Sequence, residues 1–452
     1  MSATAPAADA TSVLAVLDEM FAGSEPLDFA VRLWDGTRWT PDGAGEPAFT
    51  LVVETPAALR RLLRPGSEAA LAEAYLAGEL SVEGDIFAVP DLRRVLLERD
   101  RGLTDRIRLA FLLLKLPRGT GHRTGDGDEP AGAAHGGEAD ATSGPELPEP
   151  ELRGALHSIE RDRAAVTHHY DLSNRFYSFF LDRRMVYSGA VFRHASEPLE
   201  AAQERKLDLI CRKLRLEPGD RLLDIGCGWG ALVMYAAAEY GAEARGVTLS
   251  ERQASLARDR IRDAGLEDRC SVEVRDYREL GDDAFDSIAS VGMFEHVGRA
   301  RAPDYFATIH RLLRPGGSYL HHAITANPTV EGHGGPTLSD RYVFPDHELI
   351  PIGETLSFAE EAGFDVRDVE GLREHYALTL RRWVAALEEH HAEAVAEVGE
   401  ATWRAWRLIF AGAAVDFEAG RQGLAQTLLV KKEADGAAGV PLGRWDWYED
   451  GA

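Results

Sequence analysis

The stretch with the clearest capacity for chemistry runs from residue 221 to 230, where an acidic residue precedes three alternating glycines. The apolar run 222–225 is typical of a buried parallel strand, and Asp224 stands near its end. Gly226, Gly228 and Gly230 let the backbone turn sharply and approach a ligand where a Cβ atom would not fit. A strand, a glycine turn and a following helix describe the ligand-binding crevice of an open α/β sheet. On the glycines alone, a simple tight turn is an equally good interpretation.

The adjacent pair His168 and His169 suggests a metal ion, since imidazole is a common zinc ligand. No third ligand follows at a suitable spacing, so hydrogen bonding is the better interpretation, and we predict no metal site. The three cysteines, Cys211, Cys227 and Cys270, form neither a zinc pattern nor a disulfide framework. Their spacing favours a reducing, cytoplasmic location.

The glycine stretch belongs to an alternation of strands and helices, which predicts a parallel, doubly wound α/β sheet. Ser250 is the expected N-cap of a helix over 251–264, with Gln253 at the capping-box position. Further strands are predicted at 244–249, 271–274, 285–291, 318–324 and 425–430. A helical stretch over 381–423 carries aromatic residues that either wall a tunnel for an acyl chain or simply pack.

The chain divides into four predicted parts. They are an accessory, lipid-docking domain (12–116), a flexible linker (117–152), a catalytic domain (153–432) and an unassigned tail (433–452). The accessory domain is predicted to be small and α+β, with strands around 29–34 and 49–53 and helices at 59–63 and 68–76. Its apolar segment 103–116, with basic residues at 106, 108 and 115, fits either a membrane-surface helix or a helix packed on its own domain. The linker is rich in Gly, Pro, Glu and Asp, and it cannot bury enough apolar surface to order.

The overall charge argues against a nucleic-acid partner. The 452 residues include 50 Lys and Arg against 75 Asp and Glu, for a formal net charge of -25. No apolar run approaches the ~20 residues that cross a membrane, and residues 1–31 carry no Lys or Arg, unlike a secretory signal. We therefore predict a soluble protein.

Four segments together resemble the cyclopropane-fatty-acyl-phospholipid synthase family, within the class I S-adenosylmethionine-dependent methyltransferases. They read Gly-Cys-Gly-Trp-Gly (226–230), Gly-Val-Thr-Leu-Ser (246–250), Ser-Val-Gly-Met-Phe-Glu-His-Val-Gly (290–298) and His-His-Tyr-Asp-Leu-Ser (168–173). The resemblance covers about residues 157–432, with a looser match at 71–76. It implies a Rossmann-like methyltransferase fold. The wider class usually has an acid at the tip of the second strand, where this chain, like the narrower family, has Thr248.

The resemblance also implies a set of contacts with S-adenosylmethionine. Asp224 belongs to this set as the carboxylate at the strand tip. The other implied contacts are Tyr187, Ser188, Gly226, Gly228 and Gly230 along the methionine end, Thr248, Ser250 and Gln253 at the ribose, and Tyr277 and Arg278 at the adenine.

The family reaction is the addition of a methyl group to the cis double bond of a phospholipid acyl chain. The positive charge that results on the acyl chain must be shielded from water. A bound bicarbonate then removes a proton. The positions that match its ligands here are Gly189, Glu295, His322, Ile324 and Tyr376, and Tyr170 is expected to face the cation.

Gly189 departs from the family pattern, which usually reads Tyr-Ser-Cys-Ala where this chain reads Tyr-Ser-Gly-Ala at 187–190. Loss of the thiol leaves room and removes one polar contact to bicarbonate. A redirected proton loss would give an exomethylene lipid in place of a cyclopropane, and a separate reductase would turn it into a methyl branch. Both products stay open at this point.

The resemblance implies several partners and alternatives. Phospholipid acyl chains at the inner face of the membrane are the expected substrate, so the protein would be cytoplasmic and peripheral to that surface. A reductase partner and a homo-oligomer are open. The alternative functions are a cofactor- or lipid-binding protein without turnover, and a methyltransferase of a soluble small molecule.

Overall fold

The computed structural model describes residues 8–21, 28–56, 58, 68–90, 152–170, 172–281, 284–330 and 338–448. The chain divides into two compact units, one of residues 1–148 with 400–408 and the other of residues 149–399 with 409–452. The apolar segment 103–116, the expected helix at 59–63 and nearly all of the linker lie outside the described residues. Those assignments stay predictions, as do the domain boundaries.

The first unit contains a four-stranded sheet in the order β2-β1-β3-β4. β1 and β3 are parallel, and the rings of Phe29 and Phe49 stack across them with centroids 5.5 Å apart. The predicted α+β character is confirmed, although the short β2 and the partly polar β4 were not expected. The elements are β1 (Phe29–Arg32), β2 (Arg38–Trp39), β3 (Phe49–Val53), β4 (Leu80–Gly84), α1 (Ala8–Phe21) and α2 (Glu68–Leu76).

The second unit contains a larger sheet in the order β11-β12-β9-β8-β5-β6-β7, with β10 paired to β9. Its strands are β5 (Arg221–Ile225), β6 (Glu243–Thr248), β7 (Cys270–Val274), β8 (Phe285–Val291), β9 (Leu313–Ala326), β10 (Ile350–Pro351), β11 (Phe364–Gly371) and β12 (Gln422–Lys431). The pairs from β9 across to β7 are parallel, whereas β12 is antiparallel to both β9 and β11. The predicted mostly parallel sheet is confirmed.

Helices cover both faces of this sheet. The α-helices described from residue 159 onward are α3 (Ile159–Tyr170), α4 (Asn174–Ser178), α5 (Leu199–Leu214), α6 (Ala231–Glu239), α7 (Glu251–Asp263), α8 (Ala302–Leu312), α9 (Leu338–Tyr342), α10 (Ile352–Glu361), α11 (Arg373–Glu389), α12 (His391–Val398), α13 (Glu400–Glu418) and α14 (Trp445–Tyr448). Residues 400–408 of α13 belong to the first unit. Leu222 of β5 packs in an apolar cluster with Leu207 of α5, and its neighbour Leu223 packs in a second cluster with Phe306 of α8. Successive strand residues point to opposite faces, so this alternation identifies a doubly wound sheet.

The order of strand addition reverses at β5, with β6 and β7 on one side and β8 and β9 on the other. In open α/β sheets, ligands bind at the carboxyl ends of the strands beside such a reversal. The glycine turn follows β5 directly, so the fold places it at this binding position.

Two parts of the second unit differ from the sequence expectation. β11 was not predicted, because charged residues interrupt its apolar pattern. The helical stretch expected over 381–423 is three helices, α11 to α13, and β12 already begins at Gln422.

The described part of the tail packs on the second unit. Trp447 is buried, the Tyr448 hydroxyl donates to Glu370 at 2.6 Å, and Arg444 forms an ion pair with Asp368. Separately, within the described ranges no helix has the length and apolarity needed to cross a membrane.

Candidate active site

The three glycines after β5 have different surroundings. Their φ angles of 80°, 53° and 80°, for Gly226, Gly228 and Gly230, lie in the left-handed region that favours glycine. A Cβ on Gly228 would meet nothing closer than Gln253 Nε2 at 4.0 Å, so this glycine borders open space. A Cβ on Gly230 would lie 3.2 Å from Ala257 Cβ. Gly226, where a Cβ would lie 2.8 Å from Met293 Cγ, lines the crevice together with Gly228. Gly230 starts α6 and packs against α7.

A first cavity lies at the ends of β5 and β6, and a hydrogen-bonded cluster forms part of its wall. The Thr248 hydroxyl donates to Gln253 Oε1 at 2.8 Å and accepts from the Ser250 N–H at 3.2 Å. Ser250 Oγ accepts from the Gln253 N–H at 3.3 Å, which confirms the predicted N-cap. Thr248 and Gln253 line the cavity, whereas Ser250 is buried outside its lining.

The opposite wall of the first cavity includes Asp276, Tyr277 and Arg278, directly after β7. The Arg278 guanidinium donates to Asp276 at 2.7 and 2.8 Å and to Asp162 at 2.8 Å. Tyr277 is held edge-on to Tyr305, with ring centroids 5.4 Å apart. A fixed aromatic ring beside fixed polar groups suits a flat heteroaromatic base.

A second cavity adjoins the first, and most of its wall is apolar. Its apolar lining includes Phe344, Leu380, Trp383, Ile409, Phe410, Phe417 and Leu424. Trp383 packs against Phe410 with ring centroids 5.2 Å apart, and Tyr376 packs against Phe417 at 4.8 Å. The apolar lining of this cavity suits a hydrocarbon chain, and the faces of its aromatic rings can stabilise positive charge.

Two buried titratable residues, Glu295 and His322, provide the polar part of the second cavity. Glu295 Oε1 accepts from the Ile324 N–H at 2.6 Å, while Oε2 has no hydrogen-bond partner in the described part of the chain. Burial raises the pKa of Glu295 to about 7, against the opposing effect of the Ile324 hydrogen bond. Both ring nitrogens of His322 also lack a partner within the described ranges, and burial lowers its pKa well below the ordinary value, so the ring is neutral.

The remaining proposed site residues also border these cavities. Tyr187, Ser188, Gly189, Ile324 and Tyr376 line the second cavity. Tyr170 lines both cavities, and its ring meets that of Tyr187 edge-on with centroids 6.2 Å apart. The structure thus brings together all the residues proposed around the acyl chain.

The room that we expected at Gly189 is filled. A Cβ on Gly189 would lie 2.6 Å from Leu424 Cδ2 and 3.3 Å from Tyr376 Cγ. Leu424 belongs to β12, opposite Ile324 of β9. A Leu424 methyl group therefore occupies space that the first side-chain atom of any larger residue at position 189 would need.

The paired histidines make hydrogen bonds, as predicted. His169 Nδ1 lies 2.9 Å from the Val343 carbonyl oxygen, and His168 Nε2 lies 3.2 Å from that of Tyr342. Among the described residues, no group of three or more His, Cys, Asp or Glu could hold a metal ion.

Three further residues of the site were missed from the sequence. Gly292 and His296 line both cavities, and both lie inside the quoted segment 290–298. Lys206 of α5 is 1 % exposed and reaches the site from outside every quoted motif. The sequence feature that could have identified Lys206 is its position on the apolar face of an amphipathic helix, where a charged residue is unusual.

The residues present fit S-adenosylmethionine on two structural grounds. The open space above Gly228 is the cradle that a Cβ would fill. Asp224 is 3 % exposed, and its Oδ1 has no partner among the described residues, as expected of a carboxylate that a bound ligand satisfies.

Comparison with known proteins identifies the family. Residues 157–427 match the mycolic acid cyclopropane synthetase family, and residues 16–92 match a domain of unknown function. A probable fatty acid methyltransferase of Pseudomonas putida is 39% identical over 93% of this chain and 96% of its own length. A second, of Mycobacterium tuberculosis, is 38% identical over 94% and 95%.

A solved mycolic acid cyclopropane synthase, complexed with S-adenosylhomocysteine (SAH), has a TM-score of 0.56 and 34% identity, over 59% of this chain and 97% of its own. Its likeness supports the methyltransferase fold and the use of S-adenosylmethionine. The chain therefore belongs to the mycolic acid cyclopropane synthetase family of S-adenosylmethionine-dependent methyltransferases.

Proposed function

We propose that this enzyme methylates the cis double bond of unsaturated acyl chains in phospholipids and releases an exomethylene chain. The observation that carries the proposal is the junction of the two cavities. Tyr170, Gly292 and His296 border both, so an apolar chain in the second cavity would lie beside a cofactor in the first. S-adenosylmethionine supplies an electrophilic methyl group there when it is bound.

The second cavity supports this chemistry because most of its wall is apolar and several aromatic rings line it. A double bond that gains a methyl group leaves positive charge on the neighbouring chain carbon, and water would trap that cation. The rings of Tyr170, Trp383 and Phe410 line the cavity and can stabilise the charge. The largely apolar wall suits a hydrocarbon chain better than a soluble, polar substrate.

Bicarbonate is the proposed base, and the polar part of the second cavity fits it. Glu295 Oε2 and the two His322 nitrogens are buried polar atoms without partners within the described ranges, and Tyr376 lines the same space. These three side chains would hold the anion. Ile324 would act through Glu295, since its N–H already donates to Oε1.

The product is proposed from Gly189 and Leu424. Direct loss of a proton from the added methyl group closes a cyclopropane. A 1,2-hydride shift first moves the charge to the methylated carbon, and proton loss from the methyl group then gives the exomethylene chain. At Gly189 the thiol contact to the base is replaced by Leu424, so the base loses one restraint. Two relatives are named as probable fatty acid methyltransferases, which fits transfer of a methyl group to an acyl chain.

The test is incubation with S-adenosylmethionine and vesicles of monounsaturated phospholipid, in a bicarbonate buffer. Mass spectrometry of the released acids should show a gain of one CH₂ unit, and vesicles with saturated chains are the control. Proton NMR then separates vinylidene from ring protons, because the two products have the same mass. Ring protons alone would refute the exomethylene product. No mass gain with intact SAH binding would favour a binding protein without turnover.

The substrate implies a cytoplasmic protein peripheral to the inner face of the membrane. A reductase with a reduced cofactor would convert the exomethylene chain to a methyl branch. Flotation with anionic vesicles tests the membrane contact, and addition of a reductase should add two hydrogens to the product. A protein that stays unbound to all vesicles would contradict the peripheral location.

A further inference from the structure

Lys206 is a buried lysine whose role is not explained by packing. It lies on α5 and is 1 % exposed. Its ammonium group donates to Ser188 Oγ at 2.7 Å, the one hydrogen-bond partner that it has among the described residues. An ammonium group has three N–H donors, and burial of unused donors is costly.

Asp224 lies in the same pocket and carries the opposite charge. Lys206, Ser188 and Asp224 line a common space with Gly226 and Gly228. Asp224 Oδ1 has no partner within the described ranges. Burial lowers the pKa of Lys206 to about 7, against the opposing effect of the charges of Asp182 and Asp224. Burial also raises the pKa of Asp224 to about 7, against the opposing effect of the Lys206 charge. The pocket therefore places an amine beside a carboxyl group, both with unused hydrogen-bonding capacity among the described residues.

A second lysine on the same helix provides a contrast. Lys213 stands seven residues, about two turns, further along α5 and is also buried. Its ammonium group donates to Glu370 and, at 2.9 Å, to Gln426, and it lies 5.5 Å from the Trp447 ring centroid. Lys213 is thus satisfied by the protein, whereas Lys206 retains donors that point to a ligand.

The amino-acid end of S-adenosylmethionine is a zwitterion, with an α-ammonium and an α-carboxylate group. We propose that Lys206, together with the Ser188 hydroxyl that it orients, binds the α-carboxylate, while Asp224 binds the α-ammonium. This inference rests on the proposed function only in that S-adenosylmethionine is the cofactor. Lys206 is then a cofactor-binding residue that recognises the amino-acid end.

The test is titration calorimetry of the full chain with SAH and with its decarboxylated analogue. The decarboxylated analogue lacks the charged group that accepts the proposed hydrogen bond. Its affinity for the wild-type protein should therefore be about 10- to 100-fold lower than that of SAH. In Lys206→Met the two ligands should bind with affinities that agree within about twofold. Lys213→Met is the matched control, and it should keep the full difference between the ligands.

The outcomes separate this inference from the proposed function. If the decarboxylated analogue binds the wild-type protein as tightly as SAH, the inference is wrong, whatever the variants do. The inference is also overturned if removal of the ligand carboxylate costs wild type and Lys206→Met the same affinity. Lys206 would then only support the structure of the site. If Lys206→Met does not fold, Lys206→Gln replaces it. For that variant, the loss of affinity on removal of the ligand carboxylate should lie between the loss in wild type and the near-zero loss expected for Lys206→Met. Failure to modify lipid would leave these binding data unaffected.

Discussion

Replacement of Glu295 by Gln should make the protein more stable than wild type, by an amount that grows as the pH rises. The same replacement should remove most of the activity. The carboxyl group is buried, and its pKa is raised from 4.5 to about 7. Below pH 4.5 both the folded and the unfolded states carry the proton, so Gln and Glu are equivalent. Between pH 4.5 and 7 the unfolded state ionises and the folded state does not. Wild-type stability therefore falls in this interval, and the deficit persists above it.

The size of this effect follows from the pKa shift. Each unit corresponds to about 1.4 kcal/mol, so the full penalty is about 3 kcal/mol. Glu295→Gln should gain about 1 kcal/mol over wild type at pH 5 and about 3 kcal/mol at pH 8. The amide oxygen still accepts from the Ile324 N–H, so the fold loses no hydrogen bond.

The measurement is urea unfolding of wild type and Glu295→Gln from pH 5 to pH 8 in bicarbonate-free buffer. The exposed Glu267→Gln is the control, since it removes a carboxylate that solvent already stabilises. Turnover should fall on the order of 10²–10³-fold with SAH affinity unchanged. Wild-type turnover should rise with pH through about 7, because the ionised carboxylate positions the base. A stability gain that does not change with pH would refute the buried-carboxyl argument.

Further variants test the glycine turn, the Gly189–Leu424 pair and the tail. Gly228→Val should abolish SAH binding in calorimetry, because its side chain would enter the cavity. Gly265→Val, at a similar φ of 66° with open space around it, should bind normally, and equal losses would contradict the cradle. Gly189→Cys should lose about 1–3 kcal/mol in urea unfolding by overlap with Leu424. Adding Leu424→Ala should relieve this loss and shift product toward cyclopropane by NMR; an unchanged product in that folded double variant would contradict the role of the pair. Trp447→Ala should lower the melting temperature without changing SAH affinity, since the tail packs far along α5 from Lys206; an altered affinity would show coupling to the site.

The sequence was sufficient for the parts of the site that depend on local pattern. The turn at 226–230 needs only a strand, glycines at left-handed positions and a helix, and all of these are contiguous. The N-cap at Ser250 is equally local. The mostly parallel sheet followed from the alternation of elements, because parallel strands require crossover helices.

The features that were missed depend on long-range pairing. Leu424 fills the space beside Gly189 because β12 lies antiparallel to β9, which no local pattern near either residue reports. Lys206 stands on the apolar face of its helix, but only the tertiary fold shows that Ser188 and Asp224 lie around its ammonium group. β11 carries charged residues whose partners lie far away along the chain: Lys213 of α5 pairs with Glu370 and Asp368, and Arg444 of the tail pairs with Asp368.

Tyr170, Gly292 and His296 border both cavities, and this junction has a consequence for ligand design. Ligands in two adjoining cavities can be joined by a linker. Once one part has bound, the other part binds at the effective concentration that the linker sets. A 5′-thioadenosine head group with a long alkyl chain on its sulfur would place each part in its own cavity. When the linker fits, such joining strengthens binding about 10²- to 10⁴-fold over the separate parts. Because the head and tail must be near neighbours, even a short linker suffices, and a compound of this shape would distinguish this enzyme from methyltransferases that lack a hydrocarbon cavity beside the cofactor.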